Sequence, residues 1–248
     1  MEVHHHSYTS RKKWTHYFWE FFMLFLAVTA GFLVENQREH YVEHQREKQY
    51  MKSMIEDLKS DTSQISTVIQ LKVLRNNMID SLVFWLSSPG YRAHLNDIYF
   101  FARSVSPPLN FFPNDRTIQQ LTNAGGFRLL RKQDADSIMK YESLYRVYKD
   151  NESTQLQNSI DNLRISYNLL VNFSANYAMI DTDSIEVKDS ISASIPLFMT
   201  HDRGLINKYF NDLLRFFRNL QIQRLILKNL IVRADRHINY FKDKYRLK

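Results

Sequence analysis

Phe21-Phe-Met-Leu-Phe-Leu-Ala-Val-Thr-Ala-Gly-Phe-Leu-Val34 is an apolar run broken by no charged, amide or histidine side chain. Fourteen helical residues at about 1.5 Å each reach only about 21 Å, short of the roughly 30 Å hydrocarbon core of a bilayer. Tyr17-Phe18-Trp19-Glu20 extends the run to about 27 Å, which local thinning of the bilayer can match. Trp14, Tyr17 and Trp19 stand at its upstream edge, where amphipathic rings favour the headgroup level. Arg11-Lys12-Lys13 precedes them, and Glu35-Asn36-Gln37-Arg38-Glu39-His40 follows the run abruptly. The segment reads as a transmembrane helix over residues 14–34, after a short basic tail over residues 1–13. A cleaved signal peptide would use Val28-Thr29-Ala30 as its small-residue site. The apolar run continues past Ala30, and Glu20 falls where a signal core is clean, so a retained anchor is the expectation.

Glu20 is the ionisable residue inside this span, and intramembrane carboxylates seek a partner or a wet cavity. Helical spacing puts it on one stripe with Lys13, Leu24, Ala27, Gly31 and Glu35. Ala27-x-x-x-Gly31 is a small-xxx-small pattern that lets two helix backbones approach closely. Glu20, Leu24, Ala27 and Gly31 are therefore the candidate membrane-helix association face. The alternative for Glu20 is an interfacial carboxylate paired with His16, one turn back.

Five Gly and five Pro in 248 residues favour long helices over a turn-rich β fold. With no Cys, a disulfide framework and cysteine-based zinc sites are excluded. The net charge of +7 is concentrated at one end: Asp202–Lys248 holds 12 Lys/Arg against 4 Asp, or +8, leaving about −1 for the rest. Such an end can meet an anionic partner. It also fits a solvated helix face with cations near its C-terminus, which is the simpler expectation.

Periodicity outlines the remainder. Glu35–Tyr50 is polar on nearly every face and lacks Gly and Pro, as in a charged helical stalk over residues 35–50; Glu35/Glu39 and Glu43/Glu47 are like-charged i,i+4 pairs within it. Residues 51–248 are expected to form one helical bundle domain. Its first seam runs Ile55, Leu58, Ile65, Ile69, then shifts to Leu71, Leu74, Met78, Leu82 and Trp85, ending at Ser87-Ser88-Pro89-Gly90. Tyr91–Val105 reads as a helix with Leu95, Ile98, Tyr99 and Ala102 inward. Asp115 is placed to cap a short helix over Thr117–Thr122, and Asn123-Ala124-Gly125-Gly126 suits a left-handed terminus. A long helix then starts near Gln133-Asp134. Ile138, Tyr141, Tyr145 and Tyr148 form its first seam, and Leu156, Ile160, Leu163, Tyr167, Leu170 and Tyr177 its second. The change of phase at residues 150–154 predicts a bend or a skip in register. A connection over residues 181–196 follows, with Ile185-Glu186-Val187 locally extended. The last helix, about Asp202 to Leu247, carries Tyr209, Leu213, Phe216, Leu220, Leu227, Ile231, Ala234, Ile238, Phe241 and Tyr245, with Gln223 in the gap, a coiled-coil-like alternation of threes and fours. The fold class is all-α: an N-terminal transmembrane helix continuing into a stalk and an elongated helical bundle.

The basic start, Glu20-Phe21, Leu24-Phe25-Leu26-Ala27-Val28, Gly31-Phe32, Glu35-Asn36 and the stalk running to Met54-Ile55-Glu56-Asp57-Leu58 resemble a family of single-pass membrane proteins common in Bacteroidota. Thr117-Ile-Gln-Gln-Leu-Thr-Asn-Ala-Gly-Gly-Phe-Arg-Leu-Leu130 resembles that family's threonine–leucine–glycine–leucine turn. The likeness is sharpest over about residues 11–61. It implies an inner-membrane anchor and a helical domain, and it brings neither an activity nor catalytic residues.

Site chemistry is sparse. His40 and His44 stand i,i+4, but the stretch reads His40-Tyr-Val-Glu-His44, nearer the inverted HxxEH order than HExxH, on a charged stalk without a cleft. Arg38 and His44 fit the loose R-x4–6-H spacing of helical ribonucleases of the HEPN type, a pattern that chance supplies readily here. Neither a Gly-x-Ser-x-Gly elbow nor a Gly-rich phosphate loop occurs. Aromatics alternate with Arg in Tyr209–Tyr245 but fall on the apolar seam, so packing explains them better than base stacking, and nucleic acid is disfavoured as a partner. No cofactor, metal or catalytic residue is expected. The tighter cluster Arg11-Lys12-Lys13 predicts a cytoplasmic N-terminus and a periplasmic main domain in a bacterial inner membrane. The expected function is a membrane-anchored helical protein acting in assembly or partner binding, its partners being the lipid bilayer, a second copy through the membrane helix, and a protein. The alternatives are a homo-oligomeric pore and, third, a helical hydrolase or ribonuclease.

Overall fold

A computed structural model describes residues 14–172, 174 and 197–247. All its regular elements among these residues are helical: α1 (Trp14–Ser87), α2 (Leu95–Ser104), α3 (Arg116–Asn123), α4 (Lys132–Asn151), α5 (Gln157–Leu170) and α6 (Arg203–Tyr245). Short 3-10 turns stand at Tyr91–His94 and Gly126–Leu129, and a π-turn at Glu152–Leu156 joins α4 to α5. The protein is all-α. It divides into two compact units at Tyr50/Met51, within α1. The basic tail, Tyr177 and the 181–196 connection with Ile185-Glu186-Val187 lie outside the described residues.

In the first unit, α1 contains one helix segment long and apolar enough to cross a membrane, and none of its 18-residue apolar window is buried. From Trp14 to His40 every residue but Thr29 is exposed. Glu35 and Glu47 beyond it each have a partner along the helix. Arg38 Nη2 donates to Glu35 Oε1 at 2.6 Å, and His44 Nδ1 lies 3.1 Å from Glu47 Oε2. The Arg38 hydrogen bond holds the Glu35 carboxyl below its ordinary range.

In the second unit, the Met51–Ser87 part of α1 keeps one buried face throughout. Leu58, Asp61, Ile65, Lys72, Asn76, Ile79, Leu82 and Leu86 are all buried. The expected shift of the seam to Leu71 and Leu74 is corrected: these leucines are 42% and 57% exposed, and Lys72, Arg75 and Asn76 are inside. Ile65, Lys72, Ile79 and Leu86 are seven residues apart, so the flanking apolar residues set the phase and the polar ones are carried inward with it. Pro89 ends α1, as it disfavours a helical Ser88. The next turn is closed by Gly90 N–H donating to Ser88 Oγ at 3.2 Å.

α4, the π-turn and α5 form a helical run that packs on α6. Tyr148, Glu152, Leu156 and Ile160 are all buried at steps of four. Three ideal turns take about 10.8 residues, not twelve, and the wider π-turn absorbs about one residue, so both seams face inward. The skip lies at the expected change of phase. α5 stops at Leu170, and Val171 is extended, bridging antiparallel to Phe198. Asp202 caps α6, its Oδ1 accepting from Leu205 N–H at 2.9 Å. The buried stripe of α6 runs Ile206, Tyr209, Leu213, Phe216, Leu220, Gln223, Leu227, Leu230, Ala234, Ile238, Phe241 and Tyr245. Leu230 takes the inward position expected of Ile231, which is half-buried, and Gln223 is fully buried in the stripe itself.

Candidate functional site

Glu20, Leu24, Ala27 and Gly31 lie at helical spacing on exposed positions of α1. A Cβ at Gly31 would meet nothing within 4 Å, so its face is open within the chain. Glu20 Oε1 lies 3.0 Å from His16 Nε2, one turn back on the helix. His40 stands 3.9 Å from Glu43 and His44 pairs with Glu47, so each of these imidazoles has a carboxylate on its own helix. Among the described residues no cluster of three or more His, Asp or Glu is arranged to hold a metal ion.

The second unit brings together polar residues that the pattern of the chain does not single out. Asp57 and Asp61, one turn apart on α1, hold the start of α3. Asp57 accepts from Thr117 N–H at 3.0 Å, from the Thr117 hydroxyl and from Arg116 Nη2 at 3.0 Å. Asp115, expected to cap α3, makes no cap bond and accepts from the Gln119 amide at 2.7 Å. The buried Asp57 does the capping from another helix, where the N–H it satisfies is shielded from water. Asp61 accepts from Asn114 N–H at 2.7 Å and from Tyr141 Oη at 2.8 Å. Burial pushes its carboxyl up to about 6 against the pull of those two bonds.

In the first turn of α4, Asp134 is wholly buried and accepts from Tyr240 at 2.8 Å, from Lys244 at 2.6 Å and from Tyr245 at 2.6 Å, all on α6. Burial would raise this carboxyl, but the three donors outweigh it and hold it below its ordinary range. Further along α4, beyond Tyr141, lies a polar layer. Tyr148 Oη donates to Glu152 Oε1 at 2.8 Å, and Gln223 Nε2 donates to Asn151 Oδ1 at 2.8 Å. Lys72 Nζ and both polar atoms of the Asn76 carboxamide are buried without a hydrogen-bond partner among the described residues. Burial pushes Lys72 down to about 8, with Glu152 opposing and Arg75 adding to the fall.

Two concavities border this frame. One is apolar, among Leu86, Ile98, Ile206 and Tyr209, and admits a water-sized sphere over only about 10 Å³. That is room for about one water, and the buried Tyr209 hydroxyl has no hydrogen-bond partner among the described residues. The other is an open polar groove of about 490 Å³ between the π-turn with α5 on one side and α6 on the other. Gln155, Asn158 and Asn162 line one wall, Arg215, Arg218 and Asn219 the other, with the apolar Ile222 beside them. The π-turn shapes the groove: the Gln155 carbonyl accepts from Asn219 Nδ2 at 3.1 Å across the two helices. The amide-rich run Asn151, Gln155, Gln157, Asn158, Asn162 is the trace this wall leaves in the sequence, and the two arginines opposite lie about sixty residues further along the chain.

No family model, no curated protein and no solved structure matches this chain.

Proposed function

We propose that this protein is a single-pass, membrane-anchored helical protein that works by assembly or partner binding. The observation that carries the reading is the apolar segment of α1, which is long enough to cross a bilayer and has no buried residue in its apolar window. A core helix of a water-soluble fold would be covered, whereas a lipid-facing one need not be. In this reading residues 14–34 span an inner membrane with the N-terminus cytoplasmic, residues 35–50 form the stalk, and an elongated bundle stands in the periplasm. The likeness of residues 11–61 to the Bacteroidota single-pass family belongs to the same proposal. Binding to a partner is supported by apolar side chains that the second unit leaves outside at helical spacing: Leu214, Ile222, Leu225 and Val232 on α6, with Leu71 and Leu74 on α1. Ala27 and Gly31 supply the face for a second copy.

The test joins carbonate extraction of membranes to light scattering of the detergent-extracted protein, with Gly31→Leu alongside. The anchor requires the chain to stay in the carbonate-resistant pellet. Association through the small-residue face requires a defined oligomer that Gly31→Leu dissociates. Release by carbonate would end the anchored reading, and an oligomer indifferent to Gly31→Leu would move the association elsewhere. A pore built on Glu20 makes a further demand, an ion conductance in planar bilayers that Glu20→Gln alters.

A further inference from the structure

The polar groove between α5 and α6 has a chemistry of its own, and it does not rest on the membrane placement. Arg215 and Arg218 are exposed, one turn apart on one wall, and neither takes part in an ion pair or side-chain hydrogen bond among the described residues. The nearby acids are engaged elsewhere: Asp212 with Lys208 at 2.8 Å, Glu152 with Lys149 at 3.1 Å and Tyr148, and Asp161 with Gln157 at 2.9 Å. Two guanidiniums with no carboxylate are suited to an oxyanion, and they can share the three terminal oxygens of a phosphate where a carboxylate would be saturated by one. The facing wall is different. Gln155, Asn158 and Asn162 step by three and four along one helix face, and their side-chain carboxamides make no hydrogen bond among the described residues. A carboxamide both donates and accepts, as a hydroxyl does, so a row of them matches a row of hydroxyls. No aromatic ring lines the groove, which leaves nothing for a nucleobase to stack on. The space of about 490 Å³ suits a small molecule. The excess of positive charge between Asp202 and Lys248 favours approach of an anion.

We propose that this groove binds a small polyhydroxylated phosphate, the phosphate on Arg215 and Arg218 and the hydroxyls on the carboxamides of Gln155, Asn158 and Asn162. A soluble sugar phosphate, with three terminal oxygens, and the glycerol phosphodiester headgroup of a lipid, with two, both set an anionic phosphate beside hydroxyls.

The experiment is calorimetry on the full chain in phosphatidylcholine nanodiscs at low salt, with glucose 6-phosphate, inorganic phosphate and glucose as probes. Glucose 6-phosphate is expected to bind with a Kd below about 1 mM and at least about tenfold more tightly than either of the others. The double variant Arg215→Gln/Arg218→Gln should weaken it at least about tenfold with an unchanged thermal melt, since both side chains are exposed. Asn158→Ala/Asn162→Ala should weaken glucose 6-phosphate and leave inorganic phosphate unaffected. Repeating the titration in phosphatidylglycerol nanodiscs separates the sources: loss of glucose 6-phosphate binding there identifies the lipid headgroup as occupant, and retained binding identifies a soluble one. Absence of glucose 6-phosphate binding in phosphatidylcholine, or binding that survives the double arginine variant, would overturn the proposal.

Discussion

Lys72 is placed at a cost to the fold. Its ammonium is buried with no hydrogen-bond partner among the described residues, and burial lowers it from 10.5 to about 8. A base that is harder to protonate in the folded state destabilises that state wherever it is charged, so wild-type stability should rise as pH climbs from about 8 towards 10.5. Lys72→Met keeps the length of the side chain and removes the charge. It should stabilise the protein at pH 7 by up to about 3 kcal/mol, with the gain shrinking between pH 8 and 10.5. Urea melts of both forms across that range measure it, and a Met variant less stable than wild type would show that the ammonium finds a partner in solution. Gly125 makes the opposite point about locality: its left-handed φ of +62° was legible from Asn123-Ala124-Gly125-Gly126 alone, because short-range backbone sterics dictate it.

At the scale of elements, one carboxylate in the first turn of α4 gathers three donors of α6. Removing Asp134 leaves Lys244, Tyr240 and Tyr245 without the acceptor they share. Asp134→Ala should cost about 3–5 kcal/mol, read as a fall in the urea midpoint, and Lys244→Met should cost less because the two tyrosines still donate. Such ties explain where reading the sequence succeeded and where it stopped. The C-terminal end of α1, the start of α6, the break at residues 150–154 and most of the α6 stripe follow from Pro, Gly, caps and apolar spacing, which are local. The inward turn of Lys72 and Asn76 is not local: apolar spacing pointed to Leu71 and Leu74, and only the packing of Ile65, Ile79 and Leu86 settled the phase. The cap of α3 escaped for a similar reason, as Asp57 lies 60 residues from Thr117 while Asp115 stood in the expected place. The groove of Arg215 and Arg218 needed two distant helices to be set side by side.

For the whole molecule, two buried groups pull the pH dependence in opposite directions. Asp61 is raised from 3.8 to about 6, so the folded state holds its proton more tightly and stability falls as pH rises through that window. His237 is lowered from 6.5 to about 4 by burial, with Arg233 and Lys140 adding, so stability rises as pH climbs from about 4 to 6.5. The two slopes largely offset. Asp61→Asn should therefore unmask a stability that climbs between pH 4 and 6.5, by about 1–3 kcal/mol, in chemical melts at half-unit steps. A profile unchanged by the substitution would mean that Asp61 does not titrate in this range. The π-turn has a consequence of another kind, for how the chain can change over generations. It holds about one residue beyond what an α-helical turn would need, between two seams that already face the same way. Loss of one codon there would leave a continuous i→i+4 ladder with both seams still aligned. The same loss elsewhere in α4 or α5 would rotate everything beyond it by about 100°. Length can therefore vary most cheaply at the helix's least regular point.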